Sequence, residues 1–210
     1  MYDFFTDADF LDRARPFATG IAERVQDLVR EQGISCQFFC VGSNPRNMIT
    51  RNGKGPIDFD YNLNILASPD WDGHRLKETV RKCFNQAMRE EGLRDVQDST
   101  SSLTTYPIWF DDEPGIRFSI DIAIVAKDDQ GSWQRLIHDK RGNTYFWNQV
   151  RDSRGLGDRE SWLKKRNHWT EVRERYLDIK NRYLTGNDHD HPSFVCYIEA
   201  VNEIYQKHHK

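Results

Sequence analysis

The chain of 210 residues is long enough for one substantial core, or for a compact domain with a smaller appendage. With 30% charged, 37% hydrophobic and 12% aromatic residues it is neither disordered nor fibrous, and no apolar stretch approaches the ~20 residues that span a bilayer, so no membrane partner is expected. The net charge of −3 supplies no general attraction for phosphate backbones, so long nucleic acid is not favoured as a partner.

The first segment, MYDFFTDADF, is acidic and lacks a basic stretch before an apolar core, which reads as a cytoplasmic protein without a secretory signal. Residues 7–32 place Leu11, Ala14, Ile21, Val25 and Leu28 at helical spacing, with Pro16 as a kink or a start and Gly33 as the C-terminal cap. ISCQFFCV follows as a strand and runs directly into Gly42-Ser43. The four cysteines, at 36, 40, 83 and 196, form no CxxC pair, and they read as small buried residues of a reducing compartment.

A loop rich in Asn, Pro, Arg, Gly and Lys spans 44–56, and IDFDYNLNIL forms the next strand. Its alternation sends Asp58, Asp60, Asn62 and Asn64 to one face and Phe59, Tyr61, Leu63 and Ile65 to the other. The stretch from 70 reads as a helix through Leu76, Val80, Phe84 and Met88 to Gly92. TSSLTTYPIWF, the turn DDEPG and IRFSIDIAIV read as a β-hairpin whose second arm buries Phe118, Ile120, Ile122 and Ile124 and turns Ser119, Asp121 and Ala123 to a polar face. From about 132 onward the pattern is mainly helical, notably over 158–184 and 192–208. The expected class is α+β, a mixed sheet flanked by helices followed by a helical C-terminal lobe, with domains at 1–128 and 129–210.

An unpaired carboxylate is costly inside a sheet, so two on one strand face need a reason. Should the strands bearing Asp58, Asp60 and Asp121 be neighbours, the three carboxylates converge, and a cation makes that tolerable at neutral pH. An oxygen-only ligand set selects Mg²⁺ or Mn²⁺, and two such ions can align a hydroxyl and a leaving phosphate. Gly42-Ser43 supplies a close backbone approach and a hydroxyl for phosphate oxygens. Arg46, Arg51 and Lys54, lying between that turn and the acidic strand, are candidates for phosphate contact, with Asn44 and Asn47 behind them.

The succession VGS at 41–43, IDFDY at 57–61 and IDI at 120–122 resembles the DNA polymerase beta-like nucleotidyltransferase superfamily, over residues 20–126. The resemblance implies that Asp58 and Asp60 hold both ions through the triphosphate, that Asp121 holds the catalytic ion, and that Ser43 grips the β and γ phosphates. It also implies an NTP donor, transfer of a nucleoside monophosphate to a hydroxyl, and release of pyrophosphate. The acceptor stays open among a small molecule, another nucleotide, an RNA end and a protein. Two other readings stand beside it: a nucleotide-binding regulatory module of the same fold without turnover, and a metal-dependent phosphohydrolase.

Other conspicuous residues have plainer readings. Trp133 reads as core before nucleobase platform, and Lys164, Lys165 and Arg166 as a solvated helix face. Asp188, His189, Asp190 and His191 fit no zinc spacing and read as a turn before the helix that Pro192 opens, while KHHK at the end reads as a frayed terminus.

Overall fold

The computed structural model describes residues 1–68, 71–150, 155–188 and 192–209. In chain order the elements are β1 (Tyr2–Phe4), α1 (Ala8–Glu31), β2 (Ser35–Val41), a 3₁₀ turn (Asn44–Arg46), β3 (Thr50–Asn52) and β4 (Ile57–Ala67). Then come α2 (Gly73–Glu90), β5 (Gln97–Asp98), β6 (Leu103–Thr104), β7 (Phe118–Lys127), β8 (Trp133–Asp139) and β9 (Thr144–Gln149). Three helices close the chain: α3 (Leu156–Lys165), α4 (Trp169–Thr185) and α5 (Ser193–His208). They divide into two compact units, one of residues 6–47 and 56–150, the other of residues 1–5, 48–55 and 151–210.

The first unit is built on a seven-stranded mixed sheet of order β2-β4-β7-β6-β5. β4 and β7 run parallel at its centre, and every other pair is antiparallel. The far edge of β7 is shared, β6 pairing with its first half and β8, which carries β9, with its last residues. Phe59, Tyr61, Leu63, Phe118, Ile120, Ile122 and Ile124 are all buried on one sheet face. α1 covers that face, with Phe10 and Phe17 edge-on to Phe118 and the Thr19 hydroxyl 3.1 Å from Tyr61 Oη. It stays one helix through Pro16, starting where the Asp7 carboxylate accepts the Phe10 N–H. α2 packs beside it, capped by Asp72 in the same way.

The segment 133–149, expected to be helical, is instead the β8–β9 hairpin and belongs with the sheet. Turn chemistry explains it: the Asp128 carboxylate accepts the Gln130 and Ser132 N–H groups and Gly131 is left-handed, which folds β7 back into β8. Asn143, also left-handed, closes the turn to β9, where Tyr145, Phe146 and Trp147 favour strand geometry. Trp133, expected in the core, is 40% exposed at the start of β8, with the Lys127 ammonium over its ring.

The second unit is helical, with a short ribbon of β1 and β3 that the sequence reading treats as terminus and loop. Val172, Tyr176 and Ile179 of α4 and Cys196, Ala200 and Val201 of α5 are buried together with Met48 and Leu163. Asn181 of α4 accepts the Tyr2 N–H at 2.7 Å and donates to the Tyr2 carbonyl at 3.0 Å, so the ribbon is anchored to the helices. The stretch 158–184, read as mainly helical, is two helices, α3 and α4, parted at left-handed Asn167. His189, Asp190 and His191 lie outside the described residues. Among the described residues, no helix is long and apolar enough to cross a membrane.

Candidate active site

Asp60 stands opposite Asp121 in the parallel register of β4 and β7, and Asp58 stands opposite Ser119. Residues in register project to the same face, so all three carboxylates share the face opposite the apolar core. The Ser119 hydroxyl donates to Asp58 Oδ1 at 2.5 Å. Thr104 of β6, the cross-strand partner of Asp121, donates to Asp121 Oδ1, and Ser102 approaches the same oxygen at 3.4 Å. Burial raises the Asp121 pKa above the ordinary carboxylate value; the Thr104 hydroxyl partly offsets this and the Asp58 charge adds to it. A hard divalent cation is the counter-charge such a cluster fits, because all its donors are oxygens and their mutual repulsion falls when one binds.

The glycine turn is built against the same carboxylates. β2 ends at Val41, the antiparallel partner of Asp60, and Gly42 then turns with φ +74°. A Cβ at Gly42 would lie 2.1 Å from Asp60 Oδ2, so both the conformation and the close approach demand glycine. Ser43 leads into the 3₁₀ turn, and Arg46 folds back to donate from Nη1 to the Gly42 carbonyl at 2.6 Å. Arg15 Nε donates to Asn44 Oδ1 at 2.8 Å, and Asn44 Nδ2 lies 3.3 Å from Cys40 Sγ. Asn44 is therefore a brace of the turn, and left-handed Asn47 ends it. A tight turn of this kind, its glycine at positive φ, presents successive backbone N–H groups to an anion.

With this geometry in place, comparison with solved structures decides the fold. The cyclic AMP-GMP synthase DncV of Vibrio cholerae, a prokaryotic cGAS homolog, superposes with a TM-score of 0.60 at 12% identity, over 82% of this chain and 60% of that one. DncV with the linear intermediate 5′ pppA(3′,5′)pG gives 0.59 at 12% identity, over 83% and 63%. The CdnE cyclic dinucleotide synthase of Elizabethkingia meningoseptica, with GTP and Apcpp, gives 0.57 at 12% identity, over 90% and 68%. The fold is the one these synthases share. No family model and no curated protein matches the sequence. The chain spans about three fifths of the length of DncV.

Within this fold, Gly42, Ser43 and Arg46 lie in the same unit as the three aspartates, whereas Arg51 and Lys54 belong to the helical unit. Arg51 there donates from Nε to the Gly55 carbonyl at 2.9 Å and from Nη2 to the Lys54 carbonyl at 3.4 Å, closing its own loop.

Sequence reasoning missed Arg135. It stands opposite Val125 in the β7–β8 register, which puts it on the aspartate face. Burial lowers its pKa and the charge of Asp60 opposes that shift. The buried Arg135 Nε and Asn62 Oδ1, on the same face, make no hydrogen bond among the described residues. Thr104 and Ser102 were missed as well: the expected hairpin, paired as at Ile108–Phe118, sets Thr105 opposite Asp121, and a one-residue shift between there and β6 brings Thr104 to it instead.

Proposed function

We propose that the protein is a metal-dependent nucleotidyltransferase that moves a nucleoside monophosphate from an NTP to a ribose hydroxyl of a second nucleotide, releasing pyrophosphate. The observation that carries this reading is the parallel pairing of Asp60 with Asp121, with the Gly42 turn packed against the Asp60 carboxylate. The nucleotide acceptor is drawn from the similar proteins, which are cyclic dinucleotide synthases, one of them bound to a linear dinucleotide intermediate.

Asp58, Asp60 and Asp121 would hold Mg²⁺ or Mn²⁺. When bound, such ions neutralise triphosphate charge and orient the attacking and leaving oxygens for in-line displacement. The chain's own contribution is positional. Ser119 and Thr104 fix the carboxylates of Asp58 and Asp121, so that the ligand set is ready before substrate arrives. The Gly42-Ser43 turn offers N–H groups and a hydroxyl to phosphate oxygens, and Arg46 engages the turn carbonyl. Arg135 brings a guanidinium to the same face, suited to a phosphate or to a base edge.

Incubation with each labelled NTP and Mg²⁺ or Mn²⁺ tests the reading. A labelled dinucleotide with stoichiometric pyrophosphate supports it, and inorganic phosphate alone would instead assign a phosphohydrolase. NTP binding without turnover against any nucleotide would assign a regulatory module.

A further inference from the structure

The helical unit holds a second cluster of ligating side chains, of different chemistry from the aspartates. His168 precedes the first turn of α4, Glu171 lies within that turn, and His208 ends α5. His168 Nδ1 is 2.9 Å from Glu171 Oε1, and His208 Nε2 is 3.0 Å from both oxygens of that carboxylate. The three ligand atoms lie within 4.8 Å of one another and all three residues are half-buried. The imidazoles stack with centroids 3.7 Å apart at 15°, and the Trp162 indole lies near-parallel to His168 with centroids 6.2 Å apart.

We propose that His168, Glu171 and His208 bind a Zn²⁺ ion that clips the start of α4 to the end of α5. Two imidazoles and one carboxylate are an established three-ligand zinc set, with water in the fourth position. Ligands of a tetrahedral ion with bonds near ~2.0–2.1 Å stand about 3.3 Å apart, close to the observed 2.9 and 3.0 Å, and the two stacked rings must splay for both nitrogens to face one ion. Each ring would ligate through the nitrogen now facing the carboxylate and carry its proton on the other. Imidazole nitrogen selects zinc over the hard cations that suit the aspartates.

One group competes. The Lys207 ammonium is 2.7 Å from Glu171 Oε2 and occupies part of the carboxylate's field. Removing it should favour the ion, whereas a plain salt-bridge network would gain nothing. This gives the site a gain-of-affinity test.

The full chain, stripped with chelator, would be titrated with Zn²⁺ and separately with Co²⁺. The parent variant is Asp58→Asn/Asp60→Asn/Asp121→Asn, which removes the oxygen-ligand site. One Zn²⁺ per chain is expected, with the visible d–d bands of four-coordinate Co²⁺. His168→Gln and His208→Gln should each weaken binding by at least ~10–100-fold. Lys207→Met should tighten it several-fold, an outcome that a misfolded variant could not mimic, and His189→Gln/His191→Gln should leave it unchanged. Unaltered Zn²⁺ affinity in His208→Gln, loss of binding in His189→Gln/His191→Gln, or no gain in Lys207→Met would overturn the assignment.

Discussion

Asp58, Asp60 and Asp121 differ in burial and support, and their substitutions should differ accordingly. Asp58→Asn or Asp60→Asn should cut pyrophosphate release by more than the ~10–100-fold typical of losing a supporting partner, with an unchanged circular dichroism spectrum. Thr104→Val removes only a supporting hydroxyl, so its loss should fall inside that range. Asp121→Asn should abolish activity and yet stabilise the metal-free protein. Its folded pKa is raised, so the native state binds the proton more tightly than the unfolded chain and loses stability as pH rises through the folded pKa. The variant should therefore melt above wild type at neutral pH, with the gap closing as pH falls to the ordinary carboxylate value; a constant gap would show another origin. The two faces of β4 were legible in the sequence because a two-residue period leaves no choice of side once an apolar face is buried. Arg135 was not legible, since its face depends on a strand pairing that no local pattern declares.

At the scale of elements, the Gly42 turn and the α2 anchor make the sharpest cases. Gly42→Ala meets both a left-handed backbone, worth ~1–2 kcal/mol, and a side chain aimed into Asp60 Oδ2. Urea unfolding should register the first, and a displaced carboxylate should register as roughly 10²-fold lower turnover. α2 is tied to the sheet edge by Lys77, 2% exposed, whose ammonium reaches Asp98 Oδ1 and the Ser99 carbonyl at 2.7 Å each. His138 of β8 holds the other oxygen of Asp98 at 2.6 Å. Lys77→Ala leaves that carboxylate short of its cation and should cost ~3 kcal/mol by equilibrium unfolding. α1, β2, β4, α2 and β7 were legible from periodicity, each being long and one-sided. The β8–β9 hairpin was not, because WQRLIHD and TYFWNQ are short and mixed, and the decisive signals, Asp128 with Gly131 and left-handed Asn143, sit in the turns.

For the whole molecule the consequential feature is that the helical unit is assembled from three separated pieces of chain. A three-residue strand carries no readable period, so β1 and β3 could not be assigned to the C-terminal helices from sequence, and a cut at 128 divides the chain at neither unit's edge. The assembly has a thermodynamic consequence. β1 contributes two hydrogen bonds to the Asn181 side chain and a ribbon to β3, while Met48, just before β3, is buried among the helices. Truncating Asn181 to Ala leaves the Tyr2 N–H and carbonyl without these partners, at ~1–3 kcal/mol. The loss should appear first in the helices: in native-state hydrogen exchange, α4 and α5 should lose protection in Asn181→Ala while β4 and β7 keep theirs. Equal loss in both would mean that the two units unfold as one cooperative block, and then the same substitution should lower the midpoint of activity loss in urea together with that of the helices.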